Sequence, residues 1–312
     1  MLDRRSGALQ HRRFADFPSL VAPGDVVVVN DTRVFAARLL GRRRGGGAAE
    51  VLLVSREDGG TWRALVRPGA RIRPGATLAL EGGDGVEVLA TLDGGQRRVR
   101  LVGEGGDDAI VARHGKVPLP PYIAREPDET DRERYQTVYA ATPGSVAAPT
   151  AGLHFTPGVL ADLGRRGVEV ARLTLHVGPG TFRPVTAADP AHHALDPEAY
   201  ALPEATARSI AAARGRGGAV WAVGTTATRT LEACAGPGGT VRADAGWTSL
   251  FILPGHRFRV VDRLLTNFHL PRSTLLMLVS AFAGRETVLA TYREAIAQRY
   301  RFYSYGDAMV VL

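Results

Sequence analysis

Three histidines sit in segments rich in Gly, Pro, Thr and Asn at the ends of apolar runs. They are His154 in Thr150-Ala-Gly-Leu-His-Phe-Thr156, His176 in Leu175-His-Val-Gly-Pro-Gly-Thr181, and His269 in Thr266-Asn-Phe-His-Leu-Pro271. Segments that need special backbone angles at strand ends are where a fold presents chemistry. Imidazole moves protons near neutral pH, and hydroxyls and amides orient polar substrates around it. Any one of the three could instead be a buried histidine donating to a backbone carbonyl. Together they point to a single assembled pocket for proton transfer.

Further polar segments surround this set. Gly224-Thr-Thr-Ala-Thr-Arg229 joins a strand to a helix start, where backbone N–H groups and hydroxyls can hold an anion or carboxylate; an ordinary helix cap is the alternative. Asn30-Asp31-Thr32-Arg33 is a polar cluster closing a valine run, in which Asp31 and Arg33 could also form a turn ion pair. Asp189–Tyr200 carries His192, His193, Asp196 and Glu198, but their spacing fits no zinc template, so no metal is expected. Tyr300–Asp307 is aromatic enough to stack a nucleobase or to fill core. No dinucleotide or P-loop glycine pattern occurs.

The elements that must position these groups follow from periodicity. Val26–Val29 reads as a buried strand. Between residues 38 and 113 the chain changes character. Short β-rich runs at Glu50–Val54, Thr61–Val66, Ala76–Leu80, Gly85–Thr91 and Arg97–Val102 alternate with Gly and Pro turns. That spacing suggests a small antiparallel barrel or sandwich. A helix is expected at Asp107–His114, then a stiff connector, Pro118–Tyr122. Helix and strand then alternate. Helices are expected at Pro157–Arg166 (Thr156 as cap, Gly167 as stop), Pro203–Arg214, Arg229–Cys234, Ser273–Phe282 and Glu286–Arg299. Strands are expected at Val168–Val177, Ala219–Val223 and Thr248–Leu253. The fold expected is an α/β main domain over 1–37 and 114–312, with an inserted small antiparallel β-barrel domain over 38–113.

Bulk composition bounds the function. The 312 residues are 45% hydrophobic and 22% charged, which suits a globular protein. No run of about 18 uncharged apolar residues occurs, so no membrane span is expected. Met1–Ser6 leads into no apolar segment, so a cytoplasmic protein is expected. Cys234 is the lone cysteine, which excludes an internal disulfide. The net charge is +8, and Lys116 is the only lysine. A surplus of guanidinium suits phosphate contact, although arginine-for-lysine usage also reflects base composition.

Longer motifs carry a resemblance. Tyr135-Gln-Thr-Val-Tyr-Ala140, Gly144–Thr156, Leu175-His-Val-Gly178, Gly180-Thr-Phe182, Gly224-Thr-Thr226, Arg229-Thr-Leu-Glu232, Thr266–Pro271 and Tyr300–Met309 resemble the S-adenosylmethionine:tRNA ribosyltransferase-isomerase family. Asn30–Arg33 and Pro118–Ile123 match as well, so the resemblance covers almost the whole chain. It implies an α/β domain carrying an inserted β-barrel. It also implies transfer and isomerisation of the ribosyl part of S-adenosylmethionine onto preQ1 at the tRNA wobble position. The product is epoxyqueuosine, and adenine and methionine are released. The partners are then tRNA and S-adenosylmethionine, with no membrane and no metal. S-adenosylmethionine is a consumed substrate, and no cofactor is needed.

On this reading His154, His176 and His269 do the proton work, unranked, while Asp31, Arg33, Thr150, Thr225, Thr226, Arg229, Asn267 and Asp307 position substrate. Relatives carry further residues before the position of Leu2, and where they show a His, then Met-His, then Glu, this chain has His193, Leu195, Asp196 and Glu198. Asp196 thus places a carboxylate where relatives place an imidazole. The alternatives are a paralog acting on a free small molecule and a non-catalytic RNA-binding relative.

Overall fold

The computed structural model describes residues 1–312 except Pro121, Ala124, Arg183, Pro184, Ala187 and Ala188, so part of the expected 118–122 connector lies outside the described residues. The chain divides into two compact units. One comprises Met1–Arg33, Gln136–Thr142 and Ala148–Leu312, the other Val34–Tyr135 and Pro143–Ala147. The second unit is therefore longer than the 38–113 insertion expected from sequence. Gly115–Lys116 pairs with Arg38–Leu39, and Arg38 binds Glu126 at 2.9 Å, which keeps the following segment with the β unit.

The α/β unit is built on seven strands in the order Asp244–Thr248, Glu198–Leu202, Glu169–Leu175, Val26–Asn30, Val220–Val223, Arg263–Asn267 and Ala308–Val311. The four central strands are parallel and the outer ones antiparallel. Strands covered on both faces are apolar throughout, which accounts for Val26–Val29. Val26 and Val28 enter one core with Ile210, Leu231, Leu278 and Val288, and Val27 and Val29 enter another with Phe17, Phe155, Leu163 and Trp221. The Pro157–Arg165 helix starts where the Thr156 hydroxyl accepts the Val159 N–H at 3.2 Å, and it stops before Gly167 at φ +72°. Ser273 caps Thr274–Ala283 in the same way, at 3.1 Å to the Leu276 N–H.

Two elements differ from expectation. The helix expected at Arg229–Cys234 begins at Gly224, because φ +85° at that glycine turns the strand directly into a helix. The strand expected at Thr248–Leu253 is instead Asp244–Thr248, paired with Glu198–Leu202. The apolar run after it packs Leu250 and Ile252 on the core without joining a ladder. No single helix among the described residues is long and apolar enough to cross a membrane.

The β unit closes as a six-stranded antiparallel barrel. The sheet order runs Ala48–Glu57, Thr61–Arg67, Arg97–Val102, Gly85–Thr91, Thr77–Ala79 and Arg38–Arg43, and the last strand pairs back to the first. Inward residues such as Leu39, Val51, Leu53, Ala64, Val86 and Val99 fill it. The Gly106–His114 helix contributes Ile110 to the same core.

Candidate active site

The polar segments gather at one edge of the α/β unit. Asn30, His176, Gly224 and Asn267 each lie at or just beyond the C-terminal end of one of the four parallel strands. The Val26–Asn30 strand is followed next, within this unit, by a helix on one face of the sheet. The Val220–Val223 strand turns straight into the Gly224–Ala233 helix on the other. Such reversals leave a crevice outside the carboxyl ends of the strands.

His154 ends the short helical turn Thr150–His154. That turn requires glycine at 152, since a Cβ there would stand 2.1 Å from the Tyr139 hydroxyl oxygen. Asn267, 1% exposed, donates its amide N–H to the Tyr303 carbonyl at 2.8 Å, which turns its Oδ1 to His154 Nε2 at 3.1 Å. Because that oxygen only accepts, the hydrogen-bond network assigns the His154 proton to Nε2 and leaves Nδ1 with a lone pair. Burial lowers the His154 pKa below its ordinary 6.5, against the opposing effects of its hydrogen bond to Asn267 and the charge of Asp307. A neutral ring with one free lone pair is the form a general base needs.

Two cavities open beside this pair. The larger, about 440 Å³, is lined by Arg12, Arg13, Phe14, His154, Tyr300 and Asp307 among others. Its size falls in the range of small-ligand sites. The smaller, about 40 Å³, is lined by Thr150, Thr181, Thr225, Thr226, Asn267 and His269 among others. Thr226, 8% exposed, has a hydroxyl with no hydrogen-bond partner, placed in the first turn of the Gly224–Ala233 helix. Asn267 and His154 connect the two cavities.

The expectation of one pocket holding all three histidines needs correction. His269 lines the small cavity and His154 the large one, whereas His176 lines neither. His176 follows a strand three positions from the His269 strand, which at ~4.8 Å per strand is roughly 14 Å along the sheet. Its Nδ1 instead meets the Thr32 hydroxyl at 2.8 Å, and burial lowers its pKa while Asp31 opposes the shift. Asp31 accepts the Thr174 hydroxyl at 2.7 Å and forms no ion pair with Arg33, which is exposed. Asp307 lines the large cavity. Partial burial works to raise its pKa, but the hydrogen bonds and charge of Arg301 outweigh it and the net shift is downward. Tyr300 and Phe302 pack on Phe268, yet Tyr300 also lines the large cavity, so both roles expected of this aromatic segment occur.

Arg229, expected to meet substrate, is buried in an ion pair with Glu198. Glu198 Oε1 accepts the Gly178 N–H at 2.8 Å and the Thr181 hydroxyl at 3.1 Å. Arg229 therefore acts through Glu198 on the loop that follows His176. Sequence reasoning missed Glu198, Thr32, Thr181, Phe14, Arg12 and Arg13 as site residues. The visible signal for Glu198 was a single carboxylate opening an otherwise apolar strand. Asp196 lies against Gly180 of the same loop and lines neither cavity. No group of three His, Cys, Asp or Glu among the described residues is arranged to hold a metal ion.

His269 makes the stability of the fold depend on pH. Its Nε2 lies 2.7 Å from the Thr266 hydroxyl, and burial pushes its pKa from 6.5 down to about 4. Between those values the unfolded chain holds a proton that the folded state lacks. Stability is therefore fully present above pH 6.5 and falls as the pH drops toward 4. Melting temperatures across that window should fall less steeply for His269→Gln than for the parent. Identical slopes would show that His269 is protonated in the folded state.

The chain matches the family model described as queuosine biosynthesis protein over residues 1–311. It is 52% identical over 316 residues to the S-adenosylmethionine:tRNA ribosyltransferase-isomerase of Symbiobacterium thermophilum, covering 100% of this chain and 92% of that protein. The enzyme of the same name from Moorella thermoacetica is 53% identical over 315 residues, with the same coverages. The crystal structure of the Thermotoga maritima S-adenosylmethionine tRNA ribosyltransferase superposes with a TM-score of 0.54 at 36% identity, covering 100% of this chain and 90% of that one.

Proposed function

The chain belongs to the queuosine biosynthesis protein family, and from that premise we propose how its α/β unit works as an S-adenosylmethionine:tRNA ribosyltransferase-isomerase. It is a transferase acting on tRNA with S-adenosylmethionine as donor. The acceptor is preQ1 at the wobble position, and the product is epoxyqueuosine. The sulfonium makes the adjacent 5′ carbon of the ribosyl group acidic. A base removes that proton, the C4′–O4′ bond opens, and O4′ becomes a carbonyl on C1′ as adenine leaves, giving a vinyl sulfonium across C4′ and C5′. The preQ1 amine adds to C4′, the resulting C5′ ylide bonds to C1′, and the alkoxide formed there closes the epoxide onto C5′ and expels methionine. Since the sulfonium supplies both the acidity and the leaving group, the reaction draws on no cofactor beyond the donor, which is consumed. The cytoplasm is the compartment that holds both substrates.

The observation that carries this reading of the site is the contact of His154 Nε2 with Asn267 Oδ1 at 3.1 Å, which leaves Nδ1 free on a ring that borders a cavity large enough for a nucleoside. His154 is the proton acceptor, and Tyr300 and Phe14 offer aromatic faces to adenine. Thr225, Thr226 and Thr150, which line the small cavity, donate hydrogen bonds to the donor's carboxylate at the helix start. Incubation with S-adenosylmethionine and preQ1-containing tRNA should release adenine, followed by chromatography. Release with free preQ1 and no dependence on tRNA would favour the small-molecule paralog instead.

A further inference from the structure

The two ends of the β barrel differ in how their charges are matched. At one end arginines and carboxylates pair with each other, and the remaining acidic groups, Asp58, Glu81 and Glu104, are exposed. Glu57 binds Arg63 at 2.7 Å and Arg98 at 2.6 Å, and Asp84 binds Arg113 and His114, each at 2.7 Å. Asp107 accepts the Trp62 indole N–H at 2.7 Å, and Asp108 pairs with Arg56. The opposite end is made by the turn after Arg38–Arg43 and by the connection from Arg67 to Thr77. Registers Arg42↔Ala48, Glu50↔Arg67 and Arg43↔Leu78 bring these segments side by side. Arg42, Arg44, Arg67, Arg71 and Arg73 are all exposed there. No ion pair to any of them occurs among the described residues. Of the carboxylates at this end, Glu50 is held by Arg38 at 3.0 Å, and Asp93 is exposed.

A second feature shows that this end is built rather than merely charged. Arg97, 9% exposed, spends its guanidinium on backbone carbonyls: Gly69 at 3.0 Å, Ile72 at 3.2 Å, Gly95 at 2.8 Å and Gln96 at 3.1 Å. A buried arginine thus ties down the loop that carries Arg71 and Arg73. Uncompensated like charges repel, and surfaces usually intersperse the two signs. Arg42 donates to the Gly46 carbonyl at 3.2 Å, but none of the five guanidiniums has a carboxylate partner among the described residues. Such a set suits a ligand that brings several spaced anions, since each planar fork can bind phosphate oxygens bidentately.

We propose that this end of the barrel, the Arg42–Arg44 turn together with the Arg97-anchored 67–73 loop, is a docking surface for the sugar–phosphate backbone of RNA. It rests on the reading of the chain as a tRNA-modifying enzyme and assigns backbone binding to the β unit. Phosphate contacts of this kind position a nucleic acid without reading its sequence.

The test compares two full-length variants with equal charge loss. One carries Arg→Gln at 42, 44, 67, 71 and 73; the other carries it at the helix-surface arginines 165, 166, 208, 285 and 293, with folding of both checked by thermal melting. Anisotropy with an unmodified anticodon stem-loop transcript over a salt series gives the log–log slope. The barrel variant should lose about 0.7–0.9 of slope per contact removed, and its KM for tRNA should rise while kcat holds. The control should stay near the parent. Equal slopes for both variants, or an unchanged slope in a folded barrel variant, overturn the surface. A polyglutamate competitor displacing RNA at matched charge also overturns it in favour of acidic peptide. If the parent binds RNA through these arginines but releases no adenine, the enzymatic reading fails and the surface stands. A variant unable to fold is replaced by Arg71→Gln/Arg73→Gln alone, judged by the same slope.

Discussion

Exchanging His154 for Gln lowers turnover by about 10²–10⁴-fold while the melting temperature holds, because loss of a general base has that cost. The glutamine amide can still donate to Asn267 Oδ1, so the contact survives and the free lone pair does not. The same exchange at His269 costs less, since its ring lines the small cavity and its Nε2 is engaged by the Thr266 hydroxyl. His176→Gln costs least, because that ring meets Thr32 and neither cavity. The pH profile adds a signature. With the His154 pKa lowered, the limb where activity rises with pH lies below 6.5. Near-normal turnover in His154→Gln, with adenine release as the readout, removes it from the chemistry.

Arg229→Met should destabilise the protein by about 3–5 kcal/mol, the usual cost of leaving one partner of a buried ion pair uncompensated. Glu198, 5% exposed, would keep its bonds to Gly178 and Thr181 but lose the guanidinium. Urea denaturation measures this, and adding Glu198→Gln should recover part of the loss because the second charge is then gone. The double variant should nevertheless show a raised KM for S-adenosylmethionine, since Thr181 is no longer held at the small cavity by a carboxylate. A loss below about 1 kcal/mol in the single variant, a figure typical of exposed pairs, would mean that solvent reaches Glu198.

What could be read from the chain depended on whether the determining contacts were local. The valine run at 26–29 declares a strand covered on both faces, and Thr156-Pro157 declares a helix start through a bond to Val159. The turn-rich stretch after residue 38 declares antiparallel pairing because each hairpin is closed by its own turn. The start of the Gly224 helix was obscured because Thr225, Thr226 and Thr228 look like loop residues. The Thr228 hydroxyl instead returns to the Gly224 carbonyl within the helix. Strand order is not a local property, and it decides that His176 stands apart from His154 and His269. Glu198 and Arg229 are 31 residues apart in sequence, so nothing near either residue announces the pair. The cavity walls at Arg12, Arg13 and Phe14 have the same character, being defined only when the chain brings them to His154.

The ribosyl group of S-adenosylmethionine, rather than its methyl group, moves to tRNA at this site. S-adenosylmethionine labelled separately in the ribose and in the methyl carbon, incubated with preQ1-containing tRNA, tests it directly. The ribose label should enter nucleosides recovered from the digested tRNA, with the methyl label leaving in methionine and equimolar adenine released. Methyl label in the tRNA, or ribose label that stays with adenine as adenosine, would contradict it.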